Sequence, residues 1–429
     1  MTKRVLIIAY YWPPAGGPGV QRWLKFVKYL PQFNVEPIVY VPENPSYPII
    51  DHNLENEVPQ DITILKNSIK EPYRFAQWFS KGKTKKMSSG IIPARNPGIL
   101  ERFLLYVRGN FFIPDARVGW VAPSVRFLSA YLHKNPVDLI ITTGPPHSLH
   151  LIGMELQKRI ATPWLADFRD PWTTIHYHKS LQLTKRSARK HKQLEAKVLQ
   201  CADHILVTSP TTKKEFEMIT ETPISVITNG YEISNNLTRT PDAAFSIAHV
   251  GSLLSERNPK LLWRVLSEIA SEEKEFKKDL VLKFAGVVSD AVMASIEAFG
   301  LTENIENLGY VAHSEALQLQ HNAQVLLLIE SDRPETRAII PGKLFEYLAS
   351  KRPIIAMGPE GSDVNTILSE TKRGRYFTYH NEERLKTYLQ ELYNTYKNGE
   401  LVAFSQAVDQ YSRPALTERL ATLIKEITQ

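Results

Sequence analysis

Short apolar runs recur along this chain with helical patterns between them, and they fall into two series. The first lies at residues 5–9, 37–41, 62–65, 138–142, 164–167, 204–209 and 224–228. The second lies at 246–250, 281–285, 305–310, 325–329, 353–357 and 376–379. Apolar strands separated by helical segments predict a parallel, doubly wound sheet in each series. Between the two, after Asn229-Gly230-Tyr231, residues 232–242 turn polar and read as a linker. A chain of 429 residues exceeds one compact core. The expected division is an N-terminal domain over 1–230, a second over 231–410, and a closing segment over 411–429 whose helix spans 414–427. Two Rossmann-like α/β domains would bring their strand C-terminal ends, and any ligand, to a shared cleft.

One stretch near the end of the second series carries chemistry. Pro341-Gly342-Lys343-Leu344-Phe345-Glu346-Tyr347-Leu348-Ala349-Ser350-Lys351-Arg352-Pro353 predicts a short helix that opens after Pro-Gly and stops before Pro353. At a helical period Leu344, Phe345 and Leu348 share one face, and Lys343, Glu346 and Ser350 share the opposite one. A cation and a carboxylate near a helix N-terminus suit a phosphate and a sugar hydroxyl. The same spacing also describes an ordinary i,i+3 surface ion pair.

Composition narrows the class. With 43% apolar and 23% charged residues the chain has the make-up of a soluble globular protein. Its one cysteine, Cys201, excludes an internal disulfide or a Cys-rich zinc site, and its apolar neighbours predict a packed thiol. The apolar run after Arg4 ends at Pro13-Pro14, too short for a secretory leader, and no run approaches the roughly 20 residues that span a bilayer. A cytoplasmic location is expected. The net charge of +7 is uneven: between Lys70 and Arg108 nine Lys and Arg stand against Glu71 and Glu101. Tyr73, Phe75, Trp78, Phe79, Phe103 and Tyr106 are mixed among them. Residues 70–108 therefore suit an anionic membrane surface at the inner face of the cell membrane, with a solvated loop and partly buried helix as the plain alternative. No nucleic-acid-binding motif accompanies the charge, so nucleic acid is not an expected partner.

Several strand ends carry candidate ligand contacts. Pro13-Pro14-Ala15-Gly16-Gly17-Pro18-Gly19 joins the first strand to the first helix, where Gly16 and Gly17 let backbone N–H groups approach a ligand. A purely structural turn is the alternative. The third glycine of a dinucleotide fingerprint is missing, although Glu43 after the second strand keeps an NAD-dependent enzyme as a minor reading. His147, in Gly144-Pro145-Pro146-His147-Ser148-Leu149-His150, sits where a loop becomes a helix and suits a sugar hydroxyl or carbonyl. His150 is expected to pack, no carboxylate lies at metal-ligand spacing, and His176 and His178 read as solvated. In Asp167-Phe168-Arg169-Asp170-Pro171-Trp172, Asp170 is the expected substrate contact, while an Arg–Asp network would account for Asp167 and Arg169. Gly251-Ser252, followed by Arg257 ahead of a helix at Pro259, suits an anionic group.

Together these segments resemble the retaining GT-B glycosyltransferases of family 4, over nearly the whole chain. Tyr-Trp-Pro-Pro-Ala-Gly-Gly at 11–17, Phe-Ile-Pro-Asp-Ala-Arg-Val-Gly-Trp at 112–120 and Asp-Phe-Arg-Asp-Pro-Trp at 167–172 are similar to a bacterial surface-polysaccharide branch. Ile-Thr-Asn-Gly-Tyr at 227–231 resembles the family's hinge motif, and Pro-Gly-Lys-Leu-Phe-Glu-Tyr-Leu-Ala its donor-binding helix. The resemblance implies two Rossmann-like domains facing a cleft and a C-terminal helix returning to the N-terminal domain. It also implies hexosyl transfer from a UDP- or GDP-type nucleotide sugar, with no obligatory metal and no other cofactor, to a growing surface glycan whose expected lipid link would account for the basic aromatic segment. Glu346 would hold the ribose hydroxyls, Arg257 the diphosphate, Gly16 and Gly17 would form the phosphate loop, and His147 would lie beside the sugar. Two positions depart from the pattern. The family's first glutamate falls on Ala338, with Glu335 three residues too early, and its strand-end arginine falls on Ser252, so that Lys343 takes part of the diphosphate charge. These departures leave a non-catalytic GT-B-like partner of a glycan assembly complex, or a nucleotide-sugar epimerase, as alternatives.

Overall fold

The computed structural model describes residues 2–71, 99–175, 178, 181–232, 240–399, 401 and 406–429. The chain forms two compact units, Met1–Asn229 with Arg413–Gln429, and Gly230–Ser412. Most of the basic aromatic segment, residues 72–98, and the linker centre, 233–239, lie outside the described residues, as does His176.

In the first unit β1 (Lys3–Ile8), β2 (Val35–Pro42), β3 (Thr63–Asn67), β4 (Leu139–Gly144), β5 (Trp164–Phe168), β6 (His204–Val207) and β7 (Ile224–Val226) pair in parallel. Their order across the sheet is β3-β2-β1-β4-β5-β6-β7. Helices α1 (Pro18–Tyr29), α2 (Ile99–Phe111), α3 (Val121–Lys134), α4 (Ser148–Ile160), α5 (Lys185–Cys201) and α6 (Pro210–Glu217) connect them. Both faces of the sheet are covered, which is why the strands read as apolar runs. Val5 and Ile7 meet Val20, Leu24 and Val27 of α1 on one face, while Leu6 and Ile8 meet Trp120, Leu128 and Ile152 on the other. The strand order reverses between β1 and β4, so the loops leaving those two strands diverge and leave room above the sheet.

In the second unit β8 (Phe245–Val250), β9 (Leu280–Ala285), β10 (Ile305–Gly309), β11 (Val325–Ile329), β12 (Ile354–Met357) and β13 (Gly374–Phe377) form a parallel sheet ordered β10-β9-β8-β11-β12-β13. Its helices are α7 (Lys260–Glu272), α8 (Lys274–Asp279), α9 (Asp290–Ala298), α10 (His313–Asn322), α11 (Gly342–Ser350), α12 (Asp363–Thr371) and α13 (Glu382–Lys397). Here the order reverses between β8 and β11. Helix α11 starts after Pro341 and ends at Lys351 in the left-handed conformation, φ 62°, ahead of Pro353. Its Leu344, Phe345, Tyr347 and Leu348 are fully buried against Leu326, Leu328 and Ile354. Four buried side chains at roughly 1.5–3 kcal/mol each fix the helix's roll, and with it the direction of its polar face.

The C-terminal helix (Arg413–Ile427) packs on the first unit, with Leu416, Leu420 and Ile424 in the cluster that holds α1. Lys3 Nζ donates to the Thr428 carbonyl at 2.8 Å, and Arg419 donates to the Val226 carbonyl at 3.0 Å. Among the described residues, no helix is long and apolar enough to cross a membrane. Cys201 is half-buried at the edge of the core, as its apolar neighbours predict.

Candidate functional site

In the second unit the C-terminal ends of β8 and β11 and the first turn of α11 meet. Lys343 and Glu346 share the polar face of α11 but take different partners. Lys343 Nζ donates to the Val250 carbonyl at 2.8 Å and lies 3.3 Å from His249 Nε2. Glu346 accepts from Gln320 Nε2 of α10 at 3.0 Å. His249 is fully buried, and its Nδ1 lies 2.9 Å from the Leu327 carbonyl. Nδ1 therefore carries the proton, which leaves the Nε2 lone pair to accept from the Lys343 ammonium. Burial and the Lys343 charge hold the His249 imidazole well below its usual range.

Burial, and then the Arg257 guanidinium, push Lys343 down to about 7, with Glu346 opposing. Arg257 closes a short helical turn, Ser255–Arg257, just beyond β8, and no carboxylate pairs with it among the described residues. Two cations thus share the end of β8, where repulsion between them is offset by an arriving anion. Gly251, φ 105°, has Lys343 Nζ 3.2 Å from where a Cβ would stand, and Gly286, φ 131°, would place a Cβ 2.6 Å from the Gly251 carbonyl. Both glycines are required by conformation and by the close approach of the loops. Ser252 is exposed beside them, and Ala338 is half-buried in the approach to α11.

Glu330, directly after β11, is a group the sequence reading passed over. It is 5% exposed, and its Oε2 accepts from Tyr376 at 2.7 Å and Ser362 at 2.9 Å. Burial pushes this carboxyl up to about 7, against the lowering effect of the two hydroxyls. Gly358 is the space it occupies: a Cβ there would lie 2.3 Å from the Tyr376 hydroxyl.

In the first unit the candidates gather where β1, β4 and β5 end. Gly17 precedes α1 with φ 98° and open space around it, whereas a Cβ on Gly16 would meet Ile49 Cγ2 at 2.8 Å. Asp167 is fully buried and structural. It accepts from Arg22 at 3.0 Å, from Trp23 Nε1 at 2.7 Å and from Thr143 at 2.7 Å. The expected Arg–Asp network is present, but its arginine is Arg22 rather than Arg169. Arg169 turns to the Gly144 and Pro145 carbonyls, and its guanidinium fills the place of a Gly19 side chain. Asp170 follows it, half-buried.

His147 caps the start of α4 and stacks on Trp172, 4.9 Å between centroids and 1° between planes. Burial holds its imidazole well below the usual range, with His150 next, so it is neutral at pH 7. The residue is 7% exposed, and both ring nitrogens are buried with no hydrogen-bond partner among the described residues. His150 packs as expected, stacked on Phe168 at 4.2 Å with Nδ1 2.9 Å from Thr142 Oγ1. His178 is half-buried rather than solvated. It packs edge-on to His191 at 4.7 Å, and burial lowers its pKa to about 4. Among the described residues no cluster of His, Cys, Asp or Glu is arranged to hold a metal ion.

Residues 90–235 match the sequence model of Glycosyltransferase Family 4. No curated protein sequence matches the chain. Many solved structures share its fold, three of them as follows. Sucrose-phosphate synthase from Thermosynechococcus elongatus superposes with a TM-score of 0.62 at 14% identity, over 99% of this chain and 98% of that one. Anabaena Alr3699/HepE in complex with UDP-glucose gives 0.58 at 13%, over 99% and 100%. The lipopolysaccharide outer core galactosyltransferase WaaB, in its apo form, gives 0.58 at 15%, also over 99% and 100%. The two Rossmann-like sheets are the fold that these structures share, and the family 4 match falls on residues 90–235 within it.

Proposed function

We propose that this chain is a retaining transferase that moves a sugar from a UDP- or GDP-type nucleotide to a lipid-linked glycan acceptor in surface-polysaccharide assembly. The observation that carries the reading is the convergence of Lys343 and Arg257 at the end of β8, two cations that form no direct ion pair with a carboxylate among the described residues. That arrangement suits a diphosphate. Glu346, one turn along α11, suits the ribose hydroxyls, and Ser252 and the Gly16-Gly17 turn offer further contacts to the donor. Among the structures of this fold, HepE is in complex with UDP-glucose and WaaB is a lipopolysaccharide outer core galactosyltransferase.

In this reading the bond between the sugar's anomeric carbon and the diphosphate oxygen breaks, and Arg257 and Lys343 stabilise the charge that develops on the leaving group. The acceptor hydroxyl bonds to the anomeric carbon on the face the diphosphate leaves. Its proton passes to the departing phosphate oxygen, so no enzyme nucleophile is needed. Neutral His147 and Asp170 position the sugar and the acceptor. The acceptor's lipid gives residues 70–108 their role, contact with an anionic membrane surface from the cytoplasmic side.

A thermal-shift screen of UDP, GDP and ADP sugars tests the reading, because a ligand bound to the folded state alone raises the melting temperature. A shift that Glu346→Ala abolishes is expected. Near-normal donor affinity in Glu346→Ala would overturn the assignment, and rearrangement of the donor without any acceptor would mark an epimerase instead.

A further inference from the structure

Helix α5 carries Lys185, Arg186, Arg189, Lys190, Lys192 and Lys197, all exposed. Its buried side is Ser187, His191, Glu195, Val198 and Leu199. At 100° per residue the six cations fall on one broad face and the buried residues on the other. Glu195, the helix's one acid, cannot balance them from the core, where it accepts from the Trp172 and Thr173 backbone N–H groups at 3.1 and 3.0 Å. None of the six cations forms an ion pair among the described residues. A helix surface that evolves for solubility alone interleaves both signs.

The start of α5 is tied to the end of α2. Thr184 N donates to Asn110 Oδ1 at 2.8 Å, Asn110 Nδ2 donates to the Gln182 carbonyl at 3.2 Å, and His191 Nε2 lies 3.4 Å from the Gly109 carbonyl. Helix α2 in turn exposes Phe103, Tyr106 and Phe111, the last at 72%.

We propose that the cationic face of α5 is a docking surface for an anionic lipid bilayer, with the exposed aromatics of the adjoining α2 entering the headgroup region. Charge complementarity selects the partner class, since six unbalanced cations match a surface of lipid phosphates. The aromatics favour a bilayer over nucleic acid, because large rings exposed beside cations bury their faces at a lipid interface. The proposal rests on the lipid-linked acceptor read above, and it places the charge on α5, outside residues 70–108.

The test is flotation of the full chain with vesicles of phosphatidylcholine, with and without phosphatidylglycerol. Wild type is expected to float with the anionic vesicles alone and to be released by salt. The triple variant Lys185→Gln/Arg189→Gln/Lys192→Gln is expected to bind roughly a hundredfold more weakly, with an unchanged melting temperature. Phe103→Ser/Phe111→Ser is expected to weaken binding without changing its salt dependence. Three results would overturn the proposal: no flotation of wild type, flotation of the triple variant equal to wild type, or duplex DNA bound as tightly as the vesicles. A nucleotide-sugar thermal shift on the same samples separates the readings, since its absence in wild type defeats the transferase reading and not the docking surface.

Discussion

Lys343 and His249 meet at 3.3 Å between Nζ and Nε2, across 94 residues of chain. The histidine receives one ammonium proton while the Val250 carbonyl receives another. The third is left for a ligand. A flexible side chain is thereby held at one point of the strand end, and its low pKa makes its charge sensitive to what binds there.

That sensitivity sets a pH dependence. Lys343 is held at about 7 by burial and Arg257. An incoming diphosphate favours the charged form, so above that pH the complex takes up a proton that the free protein lacks. Donor affinity should be highest below about pH 7 and fall by up to about tenfold per pH unit above it. Lys343→Arg, which stays charged, should flatten the profile. Calorimetric titration in buffers of different ionisation enthalpy measures the proton uptake, and a flat wild-type profile would contradict it.

Glu330 makes the opposite kind of prediction, for stability. Its folded pKa is raised from 4.5 to about 7, so the folded state keeps a proton the unfolded state loses in that window. This contribution is complete below 4.5 and is lost as pH rises through 7, a change on the order of 3 kcal/mol. Glu330→Gln keeps an oxygen for Tyr376 and Ser362 and carries no charge. Its stability relative to wild type should improve between about pH 5 and about pH 8 in chemical denaturation. A difference that does not move with pH would remove the argument.

Arg22 and Asp167 form a fully buried pair at 3.0 Å. Arg22→Met leaves the carboxylate with Trp23 and Thr143 alone, and also frees the Thr228 carbonyl that Arg22 binds at 2.9 Å. A loss of about 3–5 kcal/mol in unfolding free energy is expected. A loss under about 1 kcal/mol would show the pair to be solvated in solution.

Gly286 and Gly300 both have positive φ, 131° and 70°, but only Gly286 lacks room, its Cβ position lying 2.6 Å from the Gly251 carbonyl. Gly300→Ala should cost roughly 1–2 kcal/mol of strain and leave ligand binding alone. Gly286→Ala should displace the Gly251 loop beside Lys343 and weaken donor binding as well. Equal effects on binding would mean that the two loops are not coupled.

The sheets were legible because strands buried on both faces are apolar runs that periodicity finds, and because Pro341-Gly342 and Pro353 bracket α11 with local signals. The partners of the polar groups were not. Arg169 is two residues from Asp167, yet the carboxylate pairs with Arg22, 145 residues away, because the end of β5 faces α1. His249 lies within an apolar strand and reads as core until Lys343 arrives beside it. Glu330 follows Leu-Leu-Leu-Ile, and its depth depends on Gly358, Ser362 and Tyr376, none of which a local pattern connects to it. His178 read as solvated because His191, which buries it, belongs to the next helix.

The most direct test of the central claim is release of nucleoside diphosphate from nucleotide sugars by the purified chain, compared with Lys343→Ala and Arg257→Ala. Wild type is expected to release UDP or GDP from one donor class. Both variants should lose that turnover by a hundredfold or more, about 2.7 kcal/mol or greater, while melting at the wild-type temperature. Turnover undiminished in both folded variants, or no nucleotide bound or released by wild type with any donor, would contradict it.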